Sequence, residues 1–229
     1  MKRLALACAV CLVASSAFAT LTRDEVKRLH DAATILTELR NTPDKGIPEE
    51  LWNKAQCVIV IPGLKKAAFV VGGEYGSGVM SCRSKDWSAP VFMQLAKGSW
   101  GFQIGAEEVD LVLLVMNRRG VDKLLDDKVS LGADASVAAG PVGRAANAST
   151  DAKLSAEMLS YSRSKGVFAG IDLSGGVLRP DKDADARAYG AGVSAREIVA
   201  GTREVTLEPA AAFLRALRQD VRATTGRRK

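Results

Sequence analysis

The strongest constraint on the fold is a change in hydrophobic spacing at residue 57. There the run CVIVIP, rich in β-branched residues and ended by proline, predicts a buried strand. Strand-like segments then continue to residue 180, interrupted by a short predicted helix at 119–126. We therefore expect a large, curled and mostly antiparallel β-sheet of about eight to ten strands, because curling protects the edges of a sheet.

Three hairpins account for most of the predicted strands. The first is expected to turn at 74–77, the second at 97–98 and the third at 165–166, each beside glycine. A further buried strand is predicted at 109–117. On the last strand, alternation predicts that one face is shared by Val167, Ala169, Ile171 and Leu173.

The stretch SLGADASVAAGPVGR, residues 130–144, has almost no large side chains. Its small residues alternate as they would in a strand, and the turn signal around Pro141 ends that strand. We therefore predict a strand here, and we expect its small residues to allow neighbouring backbone to approach closely.

Helical periodicity flanks the β region on both sides. Residues 22–40 are predicted to form an amphipathic helix, which begins with the capping-box spacing of Thr22 and Glu25. A short helix is predicted at 48–55, with Leu51 and Trp52 facing inward, and carboxyl-terminal helices are predicted at 183–190, 194–201 and 207–223. The sequence contains no internal repeat or linker, so the prediction is a single α+β domain.

Residues 1–19 have the pattern of a signal peptide, with a basic start, an apolar run and the small-residue ending Ala17-Phe18-Ala19. An uncleaved anchor is the alternative, although the apolar run is short for a membrane span. We predict a mature domain at 20–223, with its core at 30–200 and a basic tail at 224–229, in a protein that is exported to the periplasm or secreted.

The charge balance gives only modest support to an anionic partner. Loss of Lys2 and Arg3 with the signal peptide leaves 30 basic and 26 acidic residues and lowers the formal net charge from +6 to +4. Such an excess fits attraction to anionic surfaces but is not diagnostic of nucleic acid. No nucleic acid partner is expected.

Catalytic and metal-binding patterns in the sequence are weak. His30 is the single histidine, the glycines of 72–78 lack the spacing of a nucleotide loop, and the acids of 181–185 lack the glycine and glutamate of a calcium loop. Cys57 and Cys82 are too widely spaced in the sequence for a zinc site. They form either a disulfide or two buried thiols. We predict no enzymatic activity, no metal and no cofactor.

Two groups of surface cations remain. One lies on the polar face of the 22–40 helix, and the other lies beside apolar strands and includes Lys65, Lys66, Arg118 and Arg119. An amphipathic helix can bury its apolar face at the level of the lipid headgroups while basic side chains meet anionic lipid. Alternatively, the helix packs on the sheet and its charged face lies in water.

Several motifs together resemble the SYLF domain family, from KGIPEELWNKAQCVIVIP and VVGGEYGSGVMSCR through GFQIGAEEVDLVLLVMN to LGADASVAAGPVGR and LSYSRSKGVFAGIDLSGG. The similarity covers residues 30–200 and extends to exported bacterial members. It implies a non-enzymatic phospholipid-binding domain, with phosphoinositides as ligands in eukaryotic members and an amphipathic helix that contributes to membrane contact. Actin binding is not carried over to an exported chain.

The resemblance and the surface cations together predict a peripheral protein whose partner is an anionic phospholipid membrane. The residues expected to contact lipid are Arg23, Val26, Lys27, Arg28, Leu29, Lys65 and Lys66. The competing hypothesis is an envelope structural or protein-interaction module. It expects the 22–40 helix to be firmly packed, with its apolar stripe buried.

Overall fold

The computed structural model describes residues 21–40, 46–142, 155–164, 167–202 and 206–218. The predicted signal peptide, the turn at 165–166 and the basic tail lie outside the described residues. The α+β class is confirmed, with a large curled sheet between an amino-terminal helix and carboxyl-terminal helices in one domain.

The first five helices begin and end within two residues of the predicted positions, because local signals define them. The helix predicted at 207–223 begins with a 3-10 turn, and residues 219–223 lie outside the described residues. Thr22 and Glu25 form the reciprocal capping bonds that their spacing predicts. Leu51 and Trp52 are buried, also as predicted. The helices are α1 Arg23–Arg40, α2 Glu49–Lys54, α3 Arg118–Leu124, α4 Lys182–Tyr189, α5 Ala195–Ala200 and α6 Ala211–Arg218, the last preceded by a 3-10 turn at Glu208–Ala210.

The described part of the sheet contains seven strands: β1 Cys57–Cys82, β2 Val91–Val115, β3 Val129–Ser130, β4 Val137–Ala139, β5 Met158–Ser164, β6 Val167–Gly170 and β7 Gly176–Pro180. Their order is β3-β7-β2-β5-β4, with β1 paired to β2 and β6 to β5. Every pair of strands is antiparallel except β4 and β5.

The first two predicted hairpins are wrong, because β1 and β2 each run continuously where a turn was expected. Glu74 in the first expected turn pairs with Lys97 in the second, so the two segments form one long antiparallel ribbon. The register of this ribbon shifts between Ile61 and Leu64 and again between Ala68 and Val70. Glycine next to polar residues resembles a turn locally, but here it lies within extended strand.

The ribbon curls until the two ends of β1 meet. A strand of 26 residues would span about 85 Å if it were straight, yet Cys57 and Cys82 are joined by a disulfide with their Cα atoms 3.9 Å apart. A Cβ on Gly78 would lie 2.2 Å from the Val60 carbonyl oxygen. Gly76 and Gly78, two of the glycines that superficially resembled a nucleotide loop, therefore allow β1 to pass over its own beginning.

The third hairpin is confirmed, since β5 and β6 pair antiparallel. The predicted face is wrong: Phe168 is buried, whereas Val167 and Ala169 are exposed. The phase of a short strand follows burial of its largest apolar side chain. The strand also ends at Gly170, before the alternation reaches Leu173.

The stretch at 130–144 contains a turn where a continuous strand was predicted. Gly132 has a φ of 89°, and the Ser130 carbonyl accepts a hydrogen bond from the Asp134 amide, which separates β3 from β4. The expected close approach of backbone is found in the second part of the stretch, because a Cβ on Gly170 would lie 2.4 Å from the Gly140 carbonyl oxygen. Its small residues therefore serve packing.

Candidate functional site

Helix α1 lies on the outside of the fold, packed against β1 and α6. Its buried stripe comprises Leu29, Ala32, Ala33, Ile35, Leu36 and Leu39. Leu29 is 0% exposed, so it cannot reach a membrane while the helix is docked, contrary to the expectation of a surface contact. This packed stripe is what the competing interaction-module hypothesis expects.

Arg28 was expected to meet lipid, but it holds α1 to the rest of the domain. Its guanidinium donates to Asp181 Oδ2 at 3.2 Å and lies 5.5 Å from the centre of the Phe92 ring. Asp181 also caps α4 by accepting from the Ala184 amide. With a side chain only 14% exposed, Arg28 is not available as a surface contact in the docked helix.

A second ion pair beside Arg28 also joins α1 to α4. Glu25 is buried, and its Oε1 accepts from Arg187 Nε at 2.8 Å, while its Oε2 receives the capping bond from Thr22. Between the two ion pairs lies Asp185, which accepts from the Phe92 amide at 2.9 Å. Burial raises the pKa of Asp185 to about 7, and Asp181 and Glu25 act in the same direction.

The structure brings Lys27 and Lys65 to one surface, although they lie on different elements. Lys65 is directly opposite Glu108 in the β1–β2 ladder, so their side chains share a face of the ribbon. Glu108 also helps to raise the pKa of Lys27, after the larger effect of the Asp31 hydrogen bond. Arg23 precedes Lys27 by one helical turn and is also exposed.

We define the α1–β1 face as Arg23, Val26, Lys27 and Lys65. Val26 is 39% exposed and is the apolar member of this face. Lys66 does not belong to it, because successive residues of a strand point to opposite faces. Thus four of the seven predicted contacts come together, and the other three do not.

Carboxylates lie among these cations and reduce the positive potential of the face. Asp31 is 2.5 Å from Lys27, and Glu108 stands across from Lys65. Beside them, Arg163 forms ion pairs with Glu38 and with Asp110. The α1–β1 face is therefore a mixed-charge surface.

Other sites for chemistry are sparse in the described part of the chain. An open cleft of about 440 Å³ lies where β7 meets α4, with Lys128, Arg179 and Lys182 balanced by Asp127, Asp181 and Asp183. The described residues contain no cluster of three or more side chains able to hold a metal ion. None of the described helices is long and apolar enough to cross a bilayer.

Sequence reasoning missed the α1–α4 network. The sequence pattern of Asp181, Asp183 and Asp185 indicates an acidic helix start, and the structure agrees, with Asp181 as the N-cap of α4 and the other two acids in its first turn. What the pattern did not indicate is that Asp185 is buried. The signal that could have revealed this network is the spacing of Asp181, Asp185 and Tyr189, which follow one another at intervals of four residues. This spacing places Asp185 on the same helix face as Tyr189, and that face is buried.

Comparisons with known proteins relate the sequence of this chain to one family. A family model described as "Ysc84: Las17-binding protein actin regulator" matches residues 96–220. SH3 domain-containing YSC84-like protein 1 of Rattus norvegicus is 34% identical over 184 residues, which are 78% of this chain and 54% of the relative. The human protein of that name is 33% identical over 184 residues, with the same coverage of both chains. LAS seventeen-binding protein 3 of Saccharomyces cerevisiae is 34% identical over 163 residues, 69% of this chain and 35% of the relative. The chain spans about half the length of the first of these relatives.

Proposed function

Because the chain belongs to the Ysc84 (SYLF) family of actin regulators, we propose that it is an exported, non-enzymatic binding module that docks on anionic phospholipid surfaces. In this proposal, α1 stays packed on the domain and contact is made by the α1–β1 face. Docking is peripheral, through headgroup electrostatics and shallow insertion of Val26. It needs no cofactor.

The observation that carries this proposal is the convergence of Lys27 and Lys65. They come from segments 38 residues apart: Lys65 lies opposite Glu108 in the β1–β2 ladder, and Glu108 is close enough to Lys27 to help raise its pKa. An anionic membrane would offer both ammonium groups a negative partner outside the domain. An exposed apolar side chain among cations is also what shallow insertion at the headgroup level requires.

The expected affinity is modest, because each cation near an anionic bilayer contributes about 1 kcal/mol and Asp31 and Glu108 oppose the attraction. Removing the contributions of Lys27 and Lys65 should therefore cost about 2 kcal/mol, or roughly thirtyfold in the partition coefficient. Binding should also weaken strongly at about 1 M salt, where the Debye length is about 3 Å.

Co-sedimentation with vesicles of phosphatidylcholine and increasing fractions of phosphatidylglycerol tests this proposal. The protein is compared with a Lys27→Glu/Lys65→Glu variant. The control is Lys85→Glu/Arg118→Glu, which changes the net charge equally at exposed positions outside the α1–β1 face. We expect the first variant to lose binding and the control to keep most of it.

Two results would contradict this proposal. If the protein ignores anionic vesicles at low salt, it is not a membrane-docking module. If both variants lose binding equally, net charge drives association and the α1–β1 face has no special role.

Binding of a protein partner is the second candidate function, and the packing of α1 favours it. The buried stripe leaves the helix as part of the scaffold, and the yeast relative is named for binding LAS seventeen. Tyr75 and Val167 are more than half exposed, and aromatic anchors are typical of protein interfaces. Under this alternative, Tyr75→Ser/Val167→Ser abolishes capture of a polypeptide partner, whereas Lys27→Glu/Lys65→Glu does not.

A further inference from the structure

The two ends of β1 meet along a seam, which we define as residues 57–64 on one side and 76–83 on the other. The Cys57–Cys82 disulfide crosses this seam. Beside it, the Arg83 amide donates to the Gln56 carbonyl at 2.7 Å. The curled sheet is thus closed at this point by a covalent bond next to a backbone hydrogen bond.

Other contacts across the seam are close but provide little burial of side chains from the 76–78 segment. Gly78 lies against Val60, and Gly76 lies against Ile61 and Leu64, in positions where a Cβ would clash. Glycine has no apolar side chain to remove from water, so its part of the contact gains little from the hydrophobic effect. In the described part of the sheet, both halves of β1 form their ladders with β2, and the two halves form no ladder with each other.

From these contacts we propose that the Cys57–Cys82 disulfide is a latch that holds the seam shut, and that without it the seam opens while the rest of the sheet stays folded. This inference is independent of membrane docking. It concerns a conformational change built into the β1–β2 ribbon.

The latch forms by thiol–disulfide exchange with a disulfide-bearing oxidant. One cysteine thiolate attacks the oxidant and releases its first thiol, and the second cysteine then attacks the mixed disulfide and releases the other thiol. Two protein thiols are oxidised to one disulfide, and the oxidant is reduced to two thiols. A dithiol reductant reverses both steps.

Because both cysteines are buried, the folded protein keeps the redox state, disulfide or dithiol, in which the chain folded. Cys57 is 0% exposed and Cys82 is 3% exposed, so a reductant reaches the bond only when the seam is already open. An oxidising compartment therefore produces the closed form, whereas folding under reducing conditions produces the form that can open.

The size of the effect follows from the length of chain that the crosslink closes. If the loop between the two cysteines, with a sequence separation of 25 residues, were disordered in the open form, loop-closure entropy would change the opening equilibrium on the order of a few hundredfold. Because β1 stays paired with β2 in the open form, this value is an upper limit. We therefore expect about tenfold to a hundredfold faster exchange of amide hydrogens that are protected only by the closed seam.

Residue-resolved hydrogen exchange by NMR provides a matched pair of reporters. The Arg83 amide donates across the seam, whereas the Gln56 amide donates to Val115 in β2. The intact oxidised chain is compared with the same chain refolded with a dithiol reductant and with a Cys57→Ala/Cys82→Ala variant. We expect protection of the Arg83 amide to fall by about tenfold to a hundredfold, with protection of Gln56 and residues 110–115 changing less than about threefold.

Three outcomes would overturn the latch. Equal acceleration at Arg83, Gln56 and 110–115 would mean that the disulfide acts only on global unfolding. Unchanged exchange at Arg83 would mean that the seam stays closed without the bond. Loss of cooperative folding in both unlinked forms would mean that the seam cannot open separately from the sheet.

Discussion

Replacing Asp185 with asparagine should stabilise the protein above neutral pH. The carboxyl group is 1% exposed, and its Oδ1 accepts from the Phe92 amide. Burial is the main cause of its raised pKa, followed in the same direction by the nearby carboxylates of Asp181 and Glu25, while Arg28 opposes them. Asparagine has nearly the same shape as aspartate, keeps an acceptor oxygen and is uncharged at every pH.

The sign of the pH dependence follows from proton binding in the two states. Between pH 3.8 and about 7, the folded chain keeps the Asp185 proton that the unfolded chain has released. Stability from this group is therefore complete below pH 3.8 and decreases as the pH rises to about 7. The full difference corresponds to about 4 kcal/mol.

Urea unfolding of the protein and of Asp185→Asn at pH 5, 6, 7 and 8 measures this difference. At pH 8 we expect the variant to be more stable by about 1 to 3 kcal/mol, since the new amide N–H groups need partners and offset part of the gain. At pH 5 the advantage should shrink. Asp183→Asn, on the exposed side of α4, is the control and should leave the slope unchanged.

A constant difference between Asp185→Asn and the unmodified protein from pH 5 to 8 would refute the reasoning. So would a variant that is less stable at pH 8. His30 is the single histidine and is exposed on α1, so comparison of the two proteins at each pH isolates the contribution of Asp185.

Two packing predictions have matched controls. Gly78→Ala should destabilise the fold by about 1 to 3 kcal/mol, because its Cβ would lie 2.2 Å from the Val60 carbonyl oxygen. The control Gly73→Ala should be close to neutral, because the nearest atom to its Cβ would be 3.7 Å away. Equal midpoints of urea unfolding for the two variants would contradict the crossing of β1. Leu29→Ala should lower the free energy of unfolding by about 2 to 5 kcal/mol, whereas Val26→Ala should lower it by less than about 0.5 kcal/mol, since only Leu29 is fully buried. If thermal unfolding shows only a small loss of stability for Leu29→Ala, the buried stripe does not hold α1 in place.

The helices were predictable because their signals are local. The capping box at Thr22 and Glu25 and the apolar spacing of 22–40 are set by residues within a few positions of one another. The β5–β6 hairpin is likewise a short-range feature. The α+β class followed from the change of hydrophobic period at residue 57.

The candidate site was only partly predictable. The sequence identifies Lys27 and Arg28 as cations on a helix, but it cannot tell that one remains exposed while the other pairs with Asp181, 153 residues further along the chain. That outcome depends on where α4 packs. Lys65 could be related to Lys27 only through the β1–β2 register, which places Lys65 opposite Glu108, a carboxylate that also raises the pKa of Lys27.

Sequence alone determined the helices before and after the β region and the apolar stripe of α1, because near neighbours along the chain encode these features. Only the tertiary structure decided that 74–77 and 97–98 are paired strand rather than two turns. It also decided that the glycines at 76 and 78 serve a crossing. A strand that meets its own beginning is set by long-range closure of the sheet, and no pattern within a short window of sequence contains that information.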